Sequence, residues 1–160
     1  MLGSPKTAGT ATTAGDAAAF AVSPHDHRER IGSVRLATPQ NLEDAITSAR
    51  NAFVRWERTD AAERARVLEA AADLFERDRA TLLAALIREA GKTLDAAQAE
   101  LREAVDYLRY YAVEARRLFS NAIRLRGPTG EDNTLTLRGR GPFACISPWN
   151  FPIAIFTGQI

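Results

Sequence analysis

The chain has 160 residues, 46% hydrophobic and 26% charged, with a net charge of +1 at neutral pH. That balance gives no basic excess for nucleic acid or an anionic surface, and no apolar run reaches the roughly 20 residues of a membrane span. A single cysteine excludes a disulfide within the chain and suits a reducing, cytoplasmic compartment; the N-terminus also lacks the basic and apolar regions of a signal peptide.

Residues 1–19 are mostly Ala, Thr, Gly and Ser, a composition expected of a disordered tail or linker. Phe20–Val22 and Ile31–Leu36 then read as two short strands. Between them Ser23-Pro24-His25-Asp26-His27 is turn chemistry. Two imidazoles on such a turn, with no cysteine nearby, read as solvated rather than as metal ligands.

Four helices are expected next. Thr38-Pro39 is a cap followed by a first-turn proline. Leu42, Ala45, Ile46, Ala49, Phe53 and Trp56 then fall on one face. Thr59 or Asp60 starts a second helix, where Asp60 with Glu63 resembles a capping box; Ala65, Leu68, Ala72 and Phe75 form its apolar face. Asp78 is expected to cap a third, with Leu82, Leu83, Leu86, Ile87 and Ala90 inside and Gly91 ending it. Thr93 opens the longest helix, up to Phe119, with Leu94, Ala97, Leu101, Ala104, Leu108, Tyr111, Ala115 and Leu118 in period. Glu100, Arg102, Arg109, Glu114, Arg116 and Arg117 read as a solvated face with local ion pairs. Gly91-Lys92-Thr93 lacks the earlier glycine and the preceding strand of a phosphate loop.

Residues 127–133 form a turn cluster, and Thr134–Arg138 alternates as a strand with one polar face. Gly139-Arg-Gly141 lacks the third glycine of a dinucleotide fingerprint and is expected to let the chain turn. Phe143–Ile146 is an unbroken apolar run that suits a strand buried on both faces. Cys145 inside it would then be a buried, inert thiol. Ser147-Pro148-Trp149-Asn150 ends the strand, Pro152 opens a helical turn, and Ile153–Ile160 reads as a buried helix start. The turn would therefore lie at the carboxyl end of a strand, where α/β proteins bind ligands. Trp149 offers a flat apolar wall. The Asn150 amide, held between two stiff segments, is either a helix cap or a donor aimed at a reacting carbonyl.

Pro148-Trp149-Asn150-Phe151-Pro152 resembles the signature of the NAD(P)-dependent aldehyde dehydrogenases. The longer run from Cys145 to Gln159 resembles, more narrowly, the L-glutamate γ-semialdehyde (1-pyrroline-5-carboxylate) dehydrogenase module of the bifunctional proline utilisation A proteins. Arg88–Leu94 and Glu103–Ala112 are similar to that family's helix junction and long helix. The resemblance implies Asn150 as the oxyanion donor. It also implies that Ile146, Ser147, Pro148 and Trp149 line the nicotinamide end of NAD, and that Glu103 lies near the semialdehyde site, against the alternative of a surface glutamate.

The fold class expected is therefore α/β. Residues 20–138 would supply the N-terminal strands and helical layer, ending in a strand of an oligomerisation subdomain. Residues 139–160 would begin a Rossmann-like NAD-binding core with its first sheet strand. The chain ends within an apolar segment, and the family's nucleophilic cysteine, general-base glutamate and glycine-rich turn come later. It is thus expected to be an N-terminal piece, inactive alone, of a homo-oligomeric enzyme of proline degradation that makes glutamate. The alternatives are a dehydrogenase for another aldehyde and a non-catalytic helical interaction module.

Overall fold

A computed structural model describes residues 18–160. The expected tail thus falls, over residues 1–17, outside the described residues; its last two positions already belong to a strand. Strands β1 (Ala18–Val22) and β2 (Arg30–Arg35) form an antiparallel hairpin whose register shifts between Ala21 and Val22. The Asp26 carboxylate closes its turn by accepting from the Arg28 backbone N–H at 3.0 Å and the Arg28 Nε at 2.8 Å.

Helix α1 (Pro39–Arg58) begins with a reciprocal cap. The Thr38 hydroxyl accepts from Asn41 N–H at 3.1 Å, and the Asn41 side chain accepts from Thr38 N–H at 3.0 Å. Asn41 here takes the place usually given to Glu or Gln. The helix has the apolar stripe the sequence predicts, but none of its residues is buried. Leu42, Ile46 and Trp56 face solvent.

Helix α2 (Ala61–Arg77) is capped by the Asp60 carboxylate on Ala62 N–H at 3.0 Å, without the expected reciprocal bond from Glu63. Helix α3 (Arg79–Arg88) follows directly. Asp78 does not cap it: its carboxylate forks onto Arg77 at 2.9 and 2.8 Å. With the guanidinium fork both partners are ionised and two parallel bonds form, which takes the carboxylate away from the cap. Gly91, at φ +67°, ends this segment where the sequence places it. It lies so close to the β1–β2 hairpin that a Cβ there would stand 2.7 Å from Pro24 Cγ.

Helix α4 (Leu94–Phe119), opened by Thr93 on Ala96 N–H at 3.2 Å, is the spine. Ala97, Leu101, Ala104, Val105, Leu108 and Ala112 are buried along it. It packs on Ala65 and Ala72 of α2, with Leu68 and Phe75 at the margin. Alanines on both helices allow the close approach, and each buried leucine is worth about 1.5–3 kcal/mol. The charged face differs from expectation. Arg102–Asp106 and Arg117–Glu114 are local pairs, but Arg116 reaches Glu69 on α2 with two bonds of 2.6 and 2.8 Å. Glu100 is not solvated at all: its residue is 2% exposed.

Strands β3 (Ile123–Leu125) and β4 (Asn133–Leu135) make a second antiparallel hairpin. The sequence predicts a longer β4 and misses β3, although Ile123-Arg124-Leu125 carries the same alternation. The predicted buried strand at Phe143–Ile146 is not formed. The segment is irregular, with Phe143 77% and Ile146 88% exposed. A doubly covered strand needs paired neighbours, and the described strands pair only as β1–β2 and β3–β4. Cys145 is accordingly exposed, not buried. Helix α5 (Ala154–Gln159) closes the described chain and lies along α4.

Candidate active site

The signature turn, Pro148 to Pro152, joins the irregular segment 143–147 to α5. Ile146, Pro148, Trp149 and Asn150 are exposed and Ser147 is half-buried. Five of the six positions expected to face substrate and cofactor thus lie on the open turn and the two residues leading into it; Glu103 lies on α4. Trp149 projects 85% exposed. With Pro152 and Ile153 it walls a groove of about 340 Å³ whose other side is Ala85, Leu86, Glu89 and Ala90, at the end of α3 and just beyond it.

Both ends of this turn are tied. On the entering side, the Cys145 thiol donates to the Gln159 carbonyl at 3.1 Å, and the Ser147 hydroxyl donates to Gln159 Oε1 at 2.6 Å. On the leaving side, Glu100 Oε1 accepts from the backbone N–H groups of Ile153 at 2.8 Å and Ala154 at 3.3 Å. The first backbone N–H groups of a helix have no partner within it. A buried carboxylate there is favoured by the bonds and by the helix dipole. The second oxygen of Glu100 pairs with Lys92 Nζ at 2.5 Å, and their side chains are 0% and 14% exposed. Lys92 Nζ also lies 4.4 Å from the centre of the Phe151 ring, a cation–π contact inside the signature itself.

These contacts bear on the two readings of Asn150. Its side chain does not cap α5, which has no side-chain cap from its own N-cap region. Glu100 does that work from α4 instead. Asn150 is left exposed, beside Trp149, rather than turned into the interior.

Glu103 is exposed on α4, one turn beyond Glu100 and about 4.5 Å further along the axis. The Tyr107 hydroxyl donates to its carboxylate at 3.4 Å. The Glu103 charge, together with burial, holds the Tyr107 phenol above its ordinary range. Tyr107 also bears on α5, since a Cβ on Gly158 would sit 3.1 Å from its ring. Helix α5 thus runs along α4 in the same direction, from Glu100 to Tyr107.

Sequence reasoning missed Glu100, Lys92 and Gln159. A signal existed for the first. Position 100 falls three residues after Ala97 and four before Ala104, squarely on the apolar stripe. Lys92 stood only in a discounted phosphate motif and in the family-like junction Arg88–Leu94, with no role of its own. Its real partners are Glu100 and Phe151.

As for NAD, the residues present fit the nicotinamide end: a flat indole and an apolar Ile146 edge are open to a ring. They do not offer the diphosphate a place on α5, whose first amides are already filled by Glu100.

The aldehyde dehydrogenase family model matches residues 12–160. The bifunctional protein PutA of Escherichia coli is 47% identical over 139 residues, which is 87% of this chain and 10% of that protein. The crystal structure of a mutant of proline utilization A from Bradyrhizobium japonicum superposes with a TM-score of 0.75 at 54% identity, over 79% of this chain and 13% of that one. A Thermus 1-pyrroline-5-carboxylate dehydrogenase, solved with bound NAD, superposes with a TM-score of 0.80 at 33% identity, over 89% of this chain and 28% of that one. The chain thus spans between about a tenth and a little over a quarter of these relatives' lengths. No described helix is long and apolar enough to cross a membrane.

Proposed function

The chain belongs to the aldehyde dehydrogenase family, and from that premise we propose that it presents the oxyanion-binding turn of an NAD-dependent oxidation of L-glutamate γ-semialdehyde to L-glutamate in proline degradation. The observation that carries this reading is an exposed Asn150 carboxamide on a turn anchored at both ends, with the helix cap supplied by another residue.

In the proposed reaction a thiolate supplied elsewhere in the enzyme adds to the aldehyde carbon, and negative charge moves to the carbonyl oxygen. The Asn150 amide N–H donates to that oxygen as the charge develops. A donor already fixed in place costs no reorganisation at that moment. Ile146, Ser147, Pro148 and Trp149 line the nicotinamide end of the cofactor. NAD, when bound, would supply the hydride acceptor; water then cleaves the carbon–sulfur bond of the resulting thioester, releasing L-glutamate and returning the thiolate. Glu103, on the exposed face of α4, is proposed to contact the semialdehyde. Residues 20–138 would serve as the helical layer with part of an oligomerisation subdomain, residues 139–160 as the start of the cofactor core, and the whole enzyme as a cytoplasmic homo-oligomer.

The test is a full-length chimaera in which this chain replaces the matched segment of the E. coli relative. It should reduce NAD with γ-semialdehyde in preference to simple aliphatic aldehydes. Asn150→Ala should lower kcat by about 10²–10³. Equal turnover of wild type and Asn150→Ala would defeat the reading, and preference for aliphatic aldehydes would point to another substrate. The 160-residue chain alone, as control, should give no NAD reduction. The exposed stripe on α1 favours a second reading, a helical interaction module, but that reading leaves Pro148–Pro152 without a role.

A further inference from the structure

Glu100 is a carboxylate enclosed by protein, and the proposed chemistry gives it no direct contact with substrate or cofactor. Replacing Glu100 alone by leucine would strand Lys92 and the two α5 amides, and removing one member of a buried ion pair is strongly destabilising. What Glu100 does is specific. One oxygen takes the two leading amides of α5, and the other takes Lys92. Lys92 in turn sits against Phe151, the residue directly after Asn150.

Resting on the functional reading above, we propose that Glu100, oriented by Lys92, is a positioning residue for Asn150. It fixes Phe151, Ile153 and Ala154 to α4, so that the carboxamide ahead of them is held at one place relative to the substrate. Asn150 lies three residues before Ile153. A shift in the first turn of α5 therefore passes to Asn150 through a short segment stiffened by Pro152, whose ring fixes its φ. A displacement of about 1 Å at a catalytic donor is enough to cost about 10²-fold.

The experiment is a double-mutant cycle in the chimaera, with kcat taken per titrated active site and KM for the semialdehyde measured alongside. Asn150→Ala alone should lower kcat by about 10²–10³. Glu100→Ala alone should lower it by about 10–100-fold, with KM nearly unchanged. The double variant should be no slower than Asn150→Ala, because a residue acting through Asn150 has nothing left to position. Glu100→Gln keeps an oxygen for the two amides but gives up the ion pair, and should recover part of the loss. If Glu100→Ala does not fold, Glu100→Gln and Lys92→Met carry the same cycle. Losses that multiply in the double variant overturn the proposal, as does a Glu100 variant that melts earlier but turns over normally per site. A wild-type level of turnover in Asn150→Ala defeats the oxyanion reading instead, so the two failures are told apart.

Discussion

Gly91 shows how much a single position can fix. Its φ of +67° is one that residues with a Cβ adopt at a cost, and the Pro24 ring occupies the space a Cβ would need, 2.7 Å away. Gly91→Ala should therefore destabilise the chain by about 1–2 kcal/mol from the backbone alone. The contact with Pro24 adds to that. Urea unfolding followed by circular dichroism should show the lower midpoint; an unchanged midpoint would mean that the hairpin gives way freely. Gly91 was legible in the sequence because a glycine after a helical period is a strong local signal. Glu100 and Cys145 were not, for opposite reasons. Glu100 was assigned by its charge, when its place on the stripe outweighed it. Cys145 was assigned by its apolar neighbours, which make a buried strand only if other strands lie beside them.

Among the elements, the helices were the most legible. Their starts carry Thr38, Asp60 and Thr93, each a side-chain cap in the structure, and their period follows from 3.6 residues per turn. Strands were harder because pairing partners come from elsewhere: β4 was read without β3, and β3 was not read at all. Ion pairs between elements were also invisible, since spacing along one helix says nothing of its neighbour. Arg116 and Glu69 illustrate this. The Arg116 guanidinium holds the Glu69 carboxyl below its ordinary value, which is about 4.3 in an unfolded chain. Because the folded value is the lower one, the stabilisation is present in full above the unfolded value. It is lost as pH falls through the folded value. Glu69→Gln should thus lower the urea midpoint modestly at pH 7, and the gap to wild type should close below about pH 4. A gap that did not narrow at all as the pH was lowered would show that packing, not charge, joins α2 to α4 there.

Over the whole molecule, the burial is uneven. One seam between α2 and α4 holds most of the fully buried apolar side chains, while Leu42, Ile46, Val54 and Trp56 on α1 and Phe143, Ile146 and Trp149 near the signature are exposed. Exposed apolar surface on this scale marks a face that meets something else. The purified 160-residue chain should bind the dye ANS at neutral pH. Both of its tryptophans, Trp56 and Trp149, should be readily quenched by acrylamide, since they are 49% and 85% exposed. Weak dye binding with shielded indoles would mean that the chain covers these faces by self-association. The family was readable from Pro148–Pro152 and the runs around it. The stays that hold those residues were not, because they come from positions 92, 100 and 159.

That last feature has a practical side for anyone who would borrow the turn. Grafting Pro148–Pro152 into a foreign scaffold moves the letters and leaves the moorings behind. A working transplant would carry the whole of α5 with its Gln159, the α4 segment with Glu100, and Lys92. It would also carry Gly158, whose bare α-carbon lets the two helices lie flush against Tyr107.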